Sequence, residues 1–254
     1  MALIQCRECN QEVSSLSDTC VHCGYPIVNI SRALEDFRAR RLSEINEGNM
    51  FGISGAKVVF HLVPRESLFT EKSHGIVGIS AYISKSIHLL FGGSVEPAFS
   101  SNGILLVQRN YDNNKPVSCL EINRNGIVEA IDTLFFGIDK NVGYFLMDLF
   151  MDRLVTSCNE VLMLYKLVGI EPPFTLMVSF SGIKDYTVST KSVHFPGKRA
   201  QYDCALLQKV DFDTTDTVQK SDLRPFFEQV WNCFNYMRVR NMGKQIGISA
   251  FAKS

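Results

Sequence analysis

The sequence predicts an α+β protein: a small cysteine-rich N-terminal unit, a helical connector, then one mixed α+β domain with a mainly antiparallel sheet and a long core helix. Three observations carry this expectation. Two Cys-x-x-Cys pairs open the chain in CRECNQEVSSLSDTCVHCG, Cys6 to Gly24. Apolar runs of strand length follow from about residue 52. From Tyr144 to Val168 the apolar residues recur at three- and four-residue steps, the signature of a helix with one buried face.

The chain has 254 residues, 46% of them hydrophobic and 20% charged, which suits one substantial folded domain plus an appendage and argues against extended disorder. The expected division is 1–28 for the cysteine-rich unit, 29–50 for the connector, 51–240 for the α+β domain and 241–254 for a flexible basic tail.

The first unit is the strongest chemical signal. Four thiolates in two C-x2-C pairs can surround a zinc ion tetrahedrally at ~2.3 Å, and the metal supplies the stability that so short a segment cannot draw from a core. Two intervening residues let a tight turn aim both sulfurs at one metal. Asn10 and Gly24 follow the pairs and are residue types that tolerate positive φ. The alternatives are a disulfide pair or a redox-active dithiol; a reducing compartment, the duplicated pairs and the matching turn residues favour one structural zinc ion on Cys6, Cys9, Cys20 and Cys23. His22 is expected at the surface. A closed four-thiolate site leaves no position for water or substrate, so the metal is read as structural and not catalytic.

The connector SRALEDFRARRLSEINEG reads as a helix with Ser31 as N-cap and Gly48 just past its end. Leu34, Phe37, Leu42 and Ile45 fall near one face, with Arg32, Arg38, Arg40 and Arg41 spread around the rest and balanced by Glu35, Asp36, Glu44 and Glu47. Such a helix could lie on phosphates, but its balanced charge favours a solvated connector.

In the body, Lys57–Val63 and Ile104–Gln108 read as buried strands, and CLEINRNGIVEAI as two strands joined at Asn125-Gly126. The stretch Tyr144–Val168 reads as the long helix; Glu171-Pro172-Pro173 ends it. FTLMVSF gives a further strand and Cys204–Phe212 one more. Ser221 or Asp222 caps a closing helix through Trp231 and Phe234. No internal repeat points to a solenoid. After Tyr236, Arg238, Arg240, Lys244 and Lys253 form a basic end without acidic side chains, able to touch phosphates or simply to be an exposed tail.

Charge and hydropathy narrow the function classes. Lysine plus arginine equal aspartate plus glutamate at 26 each, so no general field draws the molecule onto nucleic acid or an acidic membrane. MALIQC lacks the pattern of a signal peptide, and Ile76–Phe91, interrupted by Lys85 and His88, is too short to span a bilayer of ~30 Å; no transmembrane helix and a cytoplasmic location are expected.

Catalytic candidates are sparse. His61 lies in a strand, and Glu121, Glu129 and Asp132 lie on or near the hairpin, a set that could do acid–base work or hold a metal. A histidine between apolar neighbours is also an ordinary hydrogen-bonded core residue, and carboxylates alternating with apolar residues are what a half-exposed hairpin produces. Asp112, Lys115 and Glu121 offer a loose version of a metal-dependent nuclease set, which a polar loop entering a strand also yields. GISGAK is not a phosphate loop, no G-x-S-x-G elbow occurs, and Phe180-Ser181-Gly182 reads as a plain turn. Cys119, Cys158, Cys204 and Cys233 read as core cysteines.

Two resemblances follow from these residues. MALIQCRECNQEVSSLSDTCVHCGYPI is similar to the short N-terminal zinc-ribbon modules of many bacterial proteins in all four cysteines, the Val-Ser before the connecting loop and the His-Cys-Gly-Tyr-Pro ending. The likeness implies a bacterial origin and a zinc site on those cysteines, but no particular partner, because such ribbons occur on nucleic-acid-binding proteins, membrane proteins and enzymes alike. VVFHLVP, INRNGIVEAID, LYKLVGIEPPFTLMVSFSGIKDY and LRPFFEQVWN occur in an order that resembles the C-terminal domain of bacterial Schlafen-like, AlbA-type proteins described as ATP- or DNA-binding. In this chain the ribbon stands where the Schlafen-like domain would be, so that domain's nucleotide-dependent or nuclease activity does not carry over. What the resemblance implies is an association with nucleic-acid or defence-related systems.

The expected function is therefore a non-enzymatic zinc-ribbon binding or adaptor protein engaging nucleic acid or a protein partner, with Arg7, Arg38, Arg40, Arg41, Arg238, Arg240 and Lys244 as peripheral contacts. The alternative is a metal-dependent nuclease or other hydrolase using His61, Glu121 or Glu129. A homo-oligomer stays open.

Overall fold

The computed structural model describes every residue except 1–2, 7, 16, 18, 26–28, 48–49, 71, 80–82, 84–96, 191–193, 196–197 and 237–254. The chain divides into two compact units, Met1–Gly48 and Asn49–Ser254.

In the first unit, β1 (Leu3–Gln5) and β2 (Glu12–Ser14) form an antiparallel hairpin in which Ile4 faces Val13. Val13 turns inward onto Cys6 and Cys20, and among the described residues these three form the small core of this segment. Helix α1 (Ile30–Asn46) follows. Its cap is Asn29, whose side chain accepts the Arg32 backbone N–H at 3.0 Å, so Ser31 lies inside the first turn and is not the cap. Gly48 lies outside the described residues. The buried stripe is Leu34, Arg38, Leu42 and Ile45, spaced at one helical repeat; Arg38 falls between two leucines and is 2% exposed, not on the open face the sequence suggested.

The second unit is organised by a large antiparallel sheet in the order β13-β10-β3-β7-β6-β5-β4, with β14 also on β10. Its strands are β3 (Lys57–Pro64), β4 (Ala98–Phe99), β5 (Gly103–Arg109), β6 (Pro116–Asn123), β7 (Val128–Asp132), β10 (Phe174–Ser181), β13 (Cys204–Leu206) and β14 (Val210–Phe212). The single strand expected over Cys204–Phe212 is thus two short ones on the same edge of β10, because the register with β10 breaks between Leu206 and Val210. Strands β3 and β10 pair over eight positions, Phe174 opposite Pro64 through Ser181 opposite Lys57, and every residue of both is buried. The β6–β7 hairpin turns where expected: Gly126, at φ 91, donates its N–H to Asn123 O at 2.8 Å, a conformation that glycine enters without penalty.

A second sheet runs β12-β11-β9-β8, formed by β8 (Phe136–Asp139), β9 (Val142–Leu146), β11 (Thr187–Ser189) and β12 (His194–Phe195); β9 and β11 are parallel and the other pairs antiparallel. Tyr144–Leu146, expected as the start of the long helix, belongs to β9, where it pairs with strands on both sides. The helix α2 therefore begins at Met147 and runs to Val168, stopped by Gly169 in the left-handed conformation with its N–H on Tyr165 O. The closing helix α3 (Arg224–Cys233) has Leu223 at its cap position and no side-chain cap; Asp222 instead accepts the Gln219 N–H in the preceding turn.

One face of the large sheet carries Phe60, Leu62, Leu120, Ile122, Ala130, Val178 and Phe180 into a core shared with Phe150, Leu154, Val161 and Tyr165 of α2 and Phe226, Val230 and Trp231 of α3. Phe145 of the second sheet joins it, stacked on Phe234 at 5.3 Å and edge-on to Phe180 at 5.3 Å. The molecule is thus mixed α+β with an antiparallel-dominated sheet. Among the described residues no helix is long and apolar enough to cross a membrane.

Candidate metal centre

The two cysteine pairs sit on two copies of one backbone turn. Asn10 donates its N–H to Cys6 O at 2.8 Å, and Gly24 repeats this to Cys20 O at 2.8 Å. Cys6 N–H reaches Gln11 O at 2.9 Å, and Cys20 N–H reaches Tyr25 O at 2.7 Å. Asn10 at φ 56 and Gly24 at φ 74 supply the left-handed residue that closes each turn.

The turns face one another and bring the four sulfurs within 4.8 Å of one another. Across the pair of turns, Cys6 Sγ lies 3.7 Å from Cys23 Sγ and Cys9 Sγ lies 3.6 Å from Cys20 Sγ. A tetrahedral ion with metal–sulfur bonds of ~2.3 Å requires sulfur–sulfur edges of about 3.8 Å, so these separations suit one shared ion. A disulfide bond, at about 2.05 Å, is far shorter. The donor set is therefore compatible with a zinc site.

The thiols also perturb one another. Desolvation by burial pushes the Cys20 thiol up, but backbone hydrogen bonds from His22 and Cys23 and the thiols of Cys23 and Cys9 outweigh it and bring Cys20 down to about 6. At Cys23 a hydrogen bond from the Tyr25 backbone lowers the pKa, yet desolvation and the neighbouring thiols carry it up to about 12. Cys9, lowered by the Gln11 backbone, is raised overall by desolvation and by Cys20 and Cys6. A dication bound among the sulfurs would allow all four to be thiolates together.

His22 is exposed, away from any need to coordinate. Arg7, Arg238, Arg240 and Lys244 lie outside the described residues. Arg40 and Arg41 both reach Glu44, at 3.1 and 2.6 Å, and Arg40 lies over the Phe37 ring at 5.6 Å. Their charge is thus partly answered within the helix.

The structure sets the three catalytic candidates in one cross-strand row, with His61 and Glu129 in direct contact. His61 on β3 faces Glu129 on β7, and His61 Nε2 lies 2.8 Å from Glu129 Oε2. Glu121 on β6 faces Glu129 in turn. The row lies on the sheet face away from α2, and the pair is 0% and 1% exposed, so the hairpin is not half-exposed as its alternation suggested. Asp132 is also buried; burial raises its carboxyl to about 7 against opposing hydrogen bonds from the Leu134 N–H and Ser118. Asp112 and Lys115 lie in the exposed β5–β6 turn while Glu121 is buried, so the loose nuclease set does not share an exposed surface.

Of the other cysteines, Cys119 and Cys158 are buried, Cys233 is half-buried and Cys204 is exposed on an edge strand, contrary to its expected core position. Sequence reasoning passed over Lys57, which is buried opposite Ser181 with its ammonium lowered by desolvation and partly restored by Asp203. Its only signal was a charge at the head of an otherwise apolar strand. Comparison with protein-family models, with curated proteins and with solved structures finds no match for this chain.

Proposed function

We propose that this chain is a non-enzymatic adaptor whose N-terminal unit, closed by one structural zinc ion on Cys6, Cys9, Cys20 and Cys23, docks a protein partner. The observation that carries the reading is the surface of that unit. Leu3 and Val21 are 65% and 78% exposed, and Tyr25 and Ile4 are also exposed, an unusual share of apolar side chains for so small a body.

Charge separates protein from nucleic acid as the partner. Residues 1–28 hold Arg7 against Glu8, Glu12 and Asp18, and a zinc ion with four thiolates adds a net charge of about −2. A phosphate backbone meets repulsion there; an apolar or basic protein surface does not. The likeness of the body to a domain that accompanies Schlafen-like proteins supports a partner drawn from a bacterial nucleic-acid or defence-related system, and a cytoplasmic setting would keep the thiols reduced.

The competing reading, a metal-dependent nuclease or other hydrolase, draws on the His61–Glu129 contact. A general base must reach substrate, directly or through one water, and a pair this buried offers no such path.

Capture from the native cell with the zinc-loaded chain tests the proposal, followed by direct binding of the purified captured protein. Binding should survive nuclease treatment and fall at least tenfold in Val21→Asp, the order expected for one central apolar contact. Capture abolished by nuclease would move the reading to nucleic acid. Magnesium- or manganese-dependent cleavage lost in Glu129→Ala would establish the hydrolase.

A further inference from the structure

The second unit carries a cleft that none of the foregoing uses. Three turns meet there: Lys72 and Ser73 after β3, Ser101 and Asn102 before β5, and the β6–β7 turn with Arg124 and Asn125. The cleft measures about 560 Å3, within the ~300–1,000 Å3 of small-molecule sites, and among the described residues every one lining it is polar and none is acidic.

The hydrogen bonds fix the turns and leave donors over. Arg124 N–H donates to Asn102 O at 2.6 Å, Arg124 O accepts from His74 N–H at 2.7 Å, and Arg124 Nε donates to Ser101 O at 3.3 Å. The backbone and the inner edge of the guanidinium are therefore held, while Nη1 and Nη2 have no protein acceptor among the described residues. Asn125 Oδ1 accepts the Ile127 N–H at 3.2 Å, and Asn102 Oδ1 accepts from Ser101 Oγ at 3.4 Å. In both asparagines the oxygen is engaged and the Nδ2 donors remain. Among the described residues Lys72 pairs with Glu66 alone, at 3.7 Å and with both side chains about half exposed, an ion pair that solvent screens to little.

Two cations and spare N–H donors, with no carboxylate among the described lining residues, select an oxyanion. A phosphate monoester carries a charge of about −1.5 to −2 at neutral pH and three acceptor oxygens, and a guanidinium fork matches two of them. We propose that this cleft binds a small phosphorylated molecule through its phosphate group, with Arg124 as the forked contact and Lys72 as the second charge. The site is independent of the N-terminal unit. Glu66 acts against it by competing for Lys72.

Calorimetric titration of the zinc-loaded full chain with inorganic phosphate, pyrophosphate and adenosine monophosphate, at physiological salt, tests the site. One equivalent should bind. Arg124→Ala should weaken binding about tenfold or more, Lys72→Ala less, and Arg124→Lys should fall between wild type and Arg124→Ala, because it keeps charge and loses the fork. Glu66→Gln should tighten binding up to about fivefold, whereas Lys166→Ala, on the exposed side of α2, and Val21→Asp should leave it unchanged. Amide shifts of the wild-type protein supply a readout that needs no variant: phosphate should move residues around Asn102 and Arg124. No saturable binding of any of the three ligands, binding indifferent to Arg124→Ala, shifts centred elsewhere, or binding of an RNA oligomer alone would each overturn the proposal.

Discussion

His61 and Glu129 face each other across β3 and β7, and their 2.8 Å contact is withdrawn from solvent on the sheet face opposite α2. Removing one member leaves a buried polar or charged group without its partner, so Glu129→Ala should cost about 3–5 kcal/mol. In a double-mutant cycle with His61→Ala, urea unfolding should return a coupling of about 0.5–3 kcal/mol. A coupling near zero would mean that the contact adds nothing to the fold.

Metal removal should act on one unit alone. With the ion gone, amides of Cys6, Asn10, Cys20 and Gly24 should lose hydrogen-exchange protection while those of β3 and β10 keep it, because among the described residues the core around those turns is Cys6, Val13 and Cys20. Mass spectrometry under native conditions should count one zinc per chain, and Cys23→Ser should abolish it. Full protection at Cys6 and Cys20 after chelation would contradict a metal-held turn.

Asp132 gives the fold an inverted acid response. Its carboxyl is raised from 3.8 to about 7 by burial, so the folded state binds the proton more tightly than the unfolded chain. The contribution is present in full below the unfolded pKa and is lost as pH rises toward about 7, a loss on the order of 4 kcal/mol. Asp132→Asn should remove this slope and raise stability at pH above 7 by about 1–3 kcal/mol, less than the whole because its amide must occupy the place of Oδ2, which has no hydrogen-bond partner among the described residues. Denaturant midpoints on either side of that range decide it; an unchanged slope in the variant assigns the response to another group.

The Tyr165 hydroxyl lies 2.9 Å from Leu62 O and 2.7 Å from Gly126 O, tying α2 to β3 and to the β6–β7 turn. Tyr165→Phe should cost about 1–3 kcal/mol by stranding buried carbonyls. Gly126→Ala should cost at least about 2 kcal/mol, since its Cβ would meet Ile170 Cδ1 at 2.7 Å from a backbone at φ 91. Thermal unfolding measures both, and an alanine variant as stable as wild type would refute the steric account.

Thiol labelling of the zinc-loaded chain should find Cys204 first. Desolvation pushes Cys158 up to about 12 and Cys233 up to about 11, and it raises Cys119 well above the usual thiol range, so these three should stay unmodified until the protein unfolds.

The parts legible in the sequence were those with a local cause. Cys6, Cys9, Asn10, Cys20, Cys23 and Gly24 fix their turns within a few residues, and Asn125-Gly126 fixes a hairpin. The faces of α2 follow from its period. What escaped was set by distant partners: Tyr144–Leu146 has helical neighbours in sequence but strands on both sides in space, and Cys204 looks apolar in context yet lies on an edge. The pairing of His61 with Glu129 joins residues 68 positions apart, which no spacing rule reaches. Burial of Glu121 and Arg38 was misjudged for the same reason, because alternation and helical period mark faces without saying which are covered.

The long β3–β10 ladder also sets a timetable for the nascent chain. Both cysteine turns are complete once Tyr25 has been made, so a metal ion could be held by the four thiols while synthesis continues. Strand β3 emerges soon afterwards, wholly apolar but for Lys57 and His61, and must wait more than a hundred residues for Phe174–Ser181 to arrive. Strand β7 can cover one of its edges earlier, but the other edge stays open and aggregation-prone until then, and the cell's chaperones have their clearest client in this protein between those two moments.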